Sequence, residues 1–174
     1  EEVVFKLRER LQAYSQILRG AAGLVSASDE VTRQEWLRYV TQLDLNRQYP
    51  GIQGVGFAVW IKPGEAARQA RVPVTYIEPM TWRNERALGF DMYSEPVRRV
   101  AIAHAVDAAD IGLSGRVTLV QETAEEPQPG FLMYFPIYAR GTPPASTDER
   151  RARVLGFAFA PFRMNDLMGA MLSR

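Results

Sequence analysis

Cysteine is absent from the 174 residues, and histidine occurs once, at His104. The first absence excludes a disulfide scaffold, a thiolate zinc site and a thiol nucleophile; the second excludes a multi-histidine metal cluster. An excess of charge of either sign is lacking too. Lys and Arg number 21 against 20 Asp and Glu, a formal net charge of +1, which removes the usual electrostatic argument for nucleic acid or an anionic membrane surface as partner. No hydrophobic run approaches the roughly 18 residues of a membrane span, and no signal-peptide pattern opens the chain. A Walker loop, a nucleophile elbow and a spaced carboxylate dyad are missing as well, so the segment reads as non-enzymatic. What remains is 47% hydrophobic and 24% charged, the composition of one ordinary globular domain. A chain of this length buries roughly 70% of its unfolded surface without help from metal or disulfide.

The chain starts without a methionine, inside a helical pattern and with no capping residue ahead of Glu1. This reads as a segment of a longer protein whose flanks carry membrane anchors. Val4, Leu7, Leu11, Tyr14, Leu18, Ala21 and Val25 then alternate spacings of three and four, the period of a coiled-coil seam. Ile17 and Leu24 widen the stripe. A helix over these residues would run about 36 Å at roughly 1.5 Å per residue. It serves either as a core helix laid along a sheet or as a stalk pairing with a second copy, and a stripe this wide allows both. We therefore divide the chain into a stalk helix, 1–30, and a domain, 31–174.

Thr32 and Glu35 form a capping box, with Val31 and Trp36 placed for a hydrophobic staple. Trp36, Tyr39, Val40 and Leu43 make the buried face of this second helix, which Tyr49-Pro50-Gly51 stops. Beyond Pro50 the period becomes extended. Five strands are predicted, Gly54–Ile61, Val72–Glu78, Arg116–Glu122, Phe131–Tyr138 and Val154–Ala160, on their β-branched and aromatic content. A helix from Glu95 to Ala109 interrupts them, with Ser94 as its cap and Pro96 in its first turn. Residues 125–130 form a hairpin loop, Arg140–Arg153 an exposed loop, and Arg163–Leu172 a last helix. The order predicts an α+β fold: an antiparallel, PAS-like sheet of five strands with helices packed mainly on one face.

Folds of that outline hold a small ligand between sheet and covering helix, which singles out several side chains. Arg98 and Arg99 open the third helix among apolar neighbours. They form either a solvated basic face or, with one turned inward, a grip for a carboxylate or phosphate. Phe57, Tyr76, Tyr134 and Phe157 lie on strands as core or as pocket wall. Gln121 lies near Arg98 and Tyr134 in the expected pocket. His104, a haem ligand in principle, lacks any supporting pattern and reads as a surface or hydrogen-bonded residue; no cofactor is expected.

The runs YPGIQGVGFAVWI (49–61), VPVTYIEP (72–79), ALGFDMYSEPVRRVAIAHAVDAA (87–109), VTLVQE (117–122), PGFLMYFPIY (129–138) and VLGFAFAPFRMNDLM (154–168) resemble, in order, the CHASE domain, the cyclase/histidine-kinase-associated sensory extracellular domain. The resemblance implies a ligand-binding input domain outside the cytoplasmic membrane, periplasmic in an inner-membrane protein. Stalk helices pair in a homodimer, and the output is a histidine kinase, a nucleotide cyclase or a cyclic-di-nucleotide enzyme. Compared with the family, the connection Lys62–Arg71 is short and the membrane-proximal lobe is incomplete. In plant members that bind cytokinins, an acidic side chain pairs with the purine edge; the matching position here is Arg98, which cannot accept a hydrogen bond. A small polar residue of that pocket is matched by the bulky Tyr134. The resemblance thus implies a small ligand other than a cytokinin, with an anionic or acceptor-rich end facing Arg98. The competing expectation is a periplasmic protein-interaction module whose pocket is filled by its own side chains.

Overall fold

The computed structural model describes residues 1–173. Its first element, α1 (Glu2–Ser26), uses the long apolar stripe in two ways. Tyr14, Ile17, Leu18, Ala21 and Ala22 are buried against a sheet, whereas Val3, Val4 and Phe5 are 41%, 55% and 61% exposed. Tyr14 marks the changeover: its ring stacks on Phe162 at 5.2 Å and its hydroxyl donates to the Pro50 carbonyl at 2.8 Å.

The capping box forms as the sequence predicts. Thr32 Oγ1 accepts from the Glu35 N–H at 3.2 Å and the Glu35 carboxylate accepts from the Thr32 N–H at 2.7 Å, opening α2 (Arg33–Leu43). Trp36 is fully buried, and its indole N–H donates to the Val55 carbonyl at 3.0 Å. The helix ends earlier than Tyr49, because Asp44 adopts a left-handed conformation (φ 49°). A single turn, α3 (Leu45–Gln48), follows. Gly51, at φ 90°, then reverses the chain where any Cβ would lie 2.7 Å from the Leu167 Cα.

Strands β1 (Val55–Val59) and β2 (Val74–Glu78) form a hairpin, followed by the short α4 (Trp82–Glu85) and a 3₁₀ turn, Met92–Ser94. Next come α5 (Pro96–Ala108), β3 (Gly112–Leu113), β4 (Gly130–Tyr138), α6 (Thr147–Arg153), β5 (Val154–Arg163) and α7 (Met164–Leu172). The sheet order is β2-β1-β5-β4-β3, antiparallel throughout, the PAS-like arrangement expected.

Four local expectations are corrected. Helices cover both faces of the sheet: α1 and α2 seal one core, α5 another. The strand β4 shows why, since all but one of its residues are buried, as a strand covered on both sides must be. The third strand is 112–113 and not 116–122. Only Val117 pairs with the sheet, bridging Gly130, after which the Thr118 carbonyl turns to the Arg98 guanidinium and the Glu122 carboxylate to Arg163. Side chains thus satisfy polar groups that a ladder would otherwise have to satisfy. The α5 cap is Glu95, whose carboxylate accepts from the Val97 and Arg98 N–H groups at 2.8 and 2.9 Å, while the Ser94 hydroxyl donates to the Asp91 carbonyl. Lastly, 140–153 is not all loop. Ser146 caps α6, with Asp148 and Glu149 in its first turn and Arg150, Arg151 and Arg153 in its last, the charge order a helix dipole favours.

Candidate sensory site

Register divides the four strand aromatics among the six sequence-predicted site residues between the two faces. Phe57 pairs with Tyr76, and the next residue, Ala58, pairs with Phe157; successive strand residues point to opposite faces. Phe57 and Tyr76 therefore join Trp36 of α2 in a three-ring cluster, with centroids 6.1 to 6.5 Å apart. Tyr134 and Phe157 meet edge-on at 6.4 Å beneath α5, on the side where Arg98 packs. The thickness of the sheet separates the pairs, so no single pocket holds all six.

Arg98 is buried and fully engaged. Its guanidinium donates to Glu95 and to the Thr118 carbonyl, at 3.1 Å each, and lies over the Phe90 ring at 5.3 Å. Burial works against the Glu95 carboxylate, but the Val97 and Arg98 N–H groups and the Arg98 charge hold its pKa below the ordinary value. Tyr134 is wholly buried, which pushes its phenol pKa up, and its hydroxyl donates to the Met92 sulfur at 3.4 Å. Gln121 donates to Asn84 Oδ1 at 3.4 Å, and Asn84 in turn donates to the Gln53 and Pro79 carbonyls at 2.8 Å each. Asn84 is a buried polar hub the sequence did not reveal. His104 is exposed on α5. None of the six residues lines the clefts described here; the space between sheet and α5 is occupied by Tyr134, Phe157, Phe159, Met92 and Ile102.

A cleft of about 700 Å³ lies at the edge of that packed interior. Its walls are the β1–β2 connection with Trp60, Lys62 and Arg68, Tyr93 of the 3₁₀ turn, Asp107 of α5 and Arg151 of α6. Trp60 meets Tyr93 edge-on at 5.4 Å and backs onto Phe157 at 6.0 Å. Its backbone is held by the Leu155 carbonyl, yet its indole N–H is buried without a partner. Gln69 spans the mouth, donating to the Tyr93 carbonyl at 3.0 Å. Arg151 grips Asp107 with two hydrogen bonds of 2.8 and 2.7 Å, and that contact lowers the Asp107 pKa. Lys62 and Arg68 enter no ion pair among the described residues. The cleft thus offers two cations outside any ion pair among the described residues and an aromatic wall whose indole N–H lies buried without a partner. Sequence reasoning passed over it by treating 62–71 as a short connection; a tryptophan followed closely by two basic residues was the available signal.

A PAS-like sheet clasped by a long N-terminal helix is an architecture shared with extracellular receptor domains. One solved relative is the ligand-binding domain of the Pseudomonas aeruginosa PAO1 amino acid chemoreceptor PctC in complex with GABA. It aligns at 15% identity and a TM-score of 0.56, covering 95% of this chain and 62% of that one. Another is an extracellular ligand binding receptor from Desulfohalobium retbaense DSM5692, at 11% identity and a TM-score of 0.63, covering 99% of this chain and 25% of that one. At such identities the likeness is one of fold, and the chain spans less than two thirds of either neighbour. No curated protein matches the chain significantly. The CHASE domain family model matches residues 29–174, and the chain belongs to that family. CHASE is an extracellular sensory domain and not a catalytic one.

Proposed function

We propose that the chain is the periplasmic input domain of an inner-membrane receptor, with its small-ligand site at the Trp60 cleft. The carrying observation is that Trp60, whose indole N–H is buried and unpartnered, lines this cleft, since a buried donor without an acceptor costs free energy that a ligand acceptor recovers. The ligand carries an acceptor for Trp60 and an anionic end for Lys62 and Arg68. Phe157, with Tyr134 against it, acts from behind as the packed interior on which Trp60 rests. The exposed Val3, Val4 and Phe5 pair α1 with a second copy, and ligand-dependent movement of the β1–β2 connection against α5 and α6 passes to a cytoplasmic histidine kinase, nucleotide cyclase or cyclic-di-nucleotide enzyme. A ligand shifts that equilibrium only by its differential affinity for the two states.

A melting screen of carboxylates and phosphorylated metabolites tests the site, because binding to the folded form raises Tm by mass action. The expected result is a rise in Tm that K62A/R68A abolishes and W60F reduces. No rise across a broad set, or one that both variants leave intact, overturns the assignment. The filled interior around Tyr134 favours a second reading, a module that recognises a periplasmic protein. Copurification of one partner without any small-molecule hit would select that reading.

A further inference from the structure

On the opposite face of the sheet, Glu78 ends β2 beneath α2. Its side chain is only 3% exposed, and Oε2 has no hydrogen-bond partner. Oε1 has just the Arg33 guanidinium at 4.0 Å, from a side chain that is 63% exposed. A carboxylate removed from water this far requires hydrogen-bonded positive charge, and a single distant, solvated arginine does not provide it.

Glu78 lies in the wall of a separate cleft of about 190 Å³, lined by Leu37, Val40, Thr41, Asp44, Asn46 and Pro79 among others. Negative character gathers there from three sources. Besides Glu78, Asp44 is exposed at the rim, and the carbonyl end of α2 carries no basic side chain in its last turn. The rest of the wall sets aliphatic Leu37, Val40, Leu45 and Pro79 beside polar Thr41 and Asn46, with Leu37 44% exposed. No group of three or more acidic or histidine side chains able to hold a metal ion occurs among the described residues. A slot with an aliphatic side and an unsatisfied carboxylate in its wall suits a cation with three N–H donors and a hydrocarbon tail.

We propose that this cleft binds a small primary alkylammonium ion, its nitrogen donating to Glu78 Oε2 and its chain lying along Leu37, Val40 and Pro79. The site stands on the far side of the sheet from Trp60 and does not depend on that cleft. Because α2 follows α1 directly and packs on β2, an amine seated here braces the helix pair against the sheet.

Titration with n-butylammonium chloride, followed by amide shifts in a ¹⁵N-labelled sample, tests it, with sodium chloride and 1-butanol as controls. Saturable shifts over 37–46 and at 78 are expected with the amine alone. E78Q, which keeps the shape and removes the charge, weakens binding at least about tenfold, the worth of one charged hydrogen bond. R33A removes the internal competitor and tightens binding. Absence of saturation, equal affinity in E78Q, or an equal response to butanol overturns the proposal. Should E78Q fail to fold, R33A decides: tighter binding supports an amine at Glu78, and unchanged affinity refutes it.

Discussion

The Arg163 guanidinium donates to the Glu122 carboxylate at 2.7 Å, joining the end of β5 to a segment that has left the sheet. It also reaches Asp166 in the first turn of α7 at 3.1 Å, and the Glu126 carbonyl at 3.2 Å. Burial opposes the Arg163 charge, yet Glu122 and Asp166 raise its pKa above the ordinary value. The Glu122 side chain is almost wholly buried, so removing the arginine leaves a carboxylate stranded. R163A should therefore lower unfolding free energy by about 3 kcal/mol, and E122Q combined with R163A should recover part of it, as a urea-melt double-mutant cycle would show. Additive losses in that cycle would mean the contact carries no coupling.

That ion cluster also shows where sequence stops being informative. Four of the five strands, the capping box at Thr32 and the helix through His104 follow from periodicity and local composition, which act over a few residues. The segment 116–122 has the apolar spacing of a strand; two arginines from distant elements, Arg98 and Arg163, draw it away, and sequence spacing does not encode such meetings. The same holds for the site. Phe57 and Phe157 are both strand aromatics, and only the pairing of Ala58 with Phe157 places them on opposite faces.

Stability against acid should depend on Glu95 and Asp107. Both have pKa values below their ordinary 4.5 and 3.8, Glu95 because N–H groups at the start of α5 and Arg98 outweigh its burial, Asp107 through Arg151. A depressed folded-state pKa contributes stability that is complete above the unfolded value and fades as pH falls toward the folded one. Unfolding free energy should hold steady near neutrality and decline below about pH 5, with a shallower decline in E95Q, whose amide does not titrate. Urea melts at stepped pH measure both slopes; parallel curves for the two proteins would remove Glu95 from the account.

Tyr134 separates a ligand cavity from a filled interior. Y134F removes only the hydroxyl bonded to Met92 and should cost no more than about 1 kcal/mol. Y134A empties space between Phe157, Phe159 and α5 and should cost about 3 kcal/mol or more. A ligand in the Trp60 cleft keeps its affinity in Y134F and loses it in K62A/R68A. The reverse order, read by calorimetry, would move the site into the interior.

Gly112 sets how closely α5 approaches the sheet. A Cβ there would clash with the Ala101 carbonyl and come within 3.0 Å of the Ala105 Cβ, both in α5. Neither neighbour is a flexible side-chain end, so the whole helix must shift, and overpacking of this kind typically costs 1–3 kcal/mol, roughly. Gly169, inside α7, has nothing within 4 Å of the same added atom, and alanine there should raise stability by up to about 1 kcal/mol through helix propensity. G112A should thus melt lower and G169A higher than the parent. Because α5 supplies Asp107 to the Trp60 cleft, G112A should also weaken ligand-induced stabilisation, while G169A leaves it unchanged. Equal melting temperatures for the two variants would show that α5 does not rest on the Gly112 backbone.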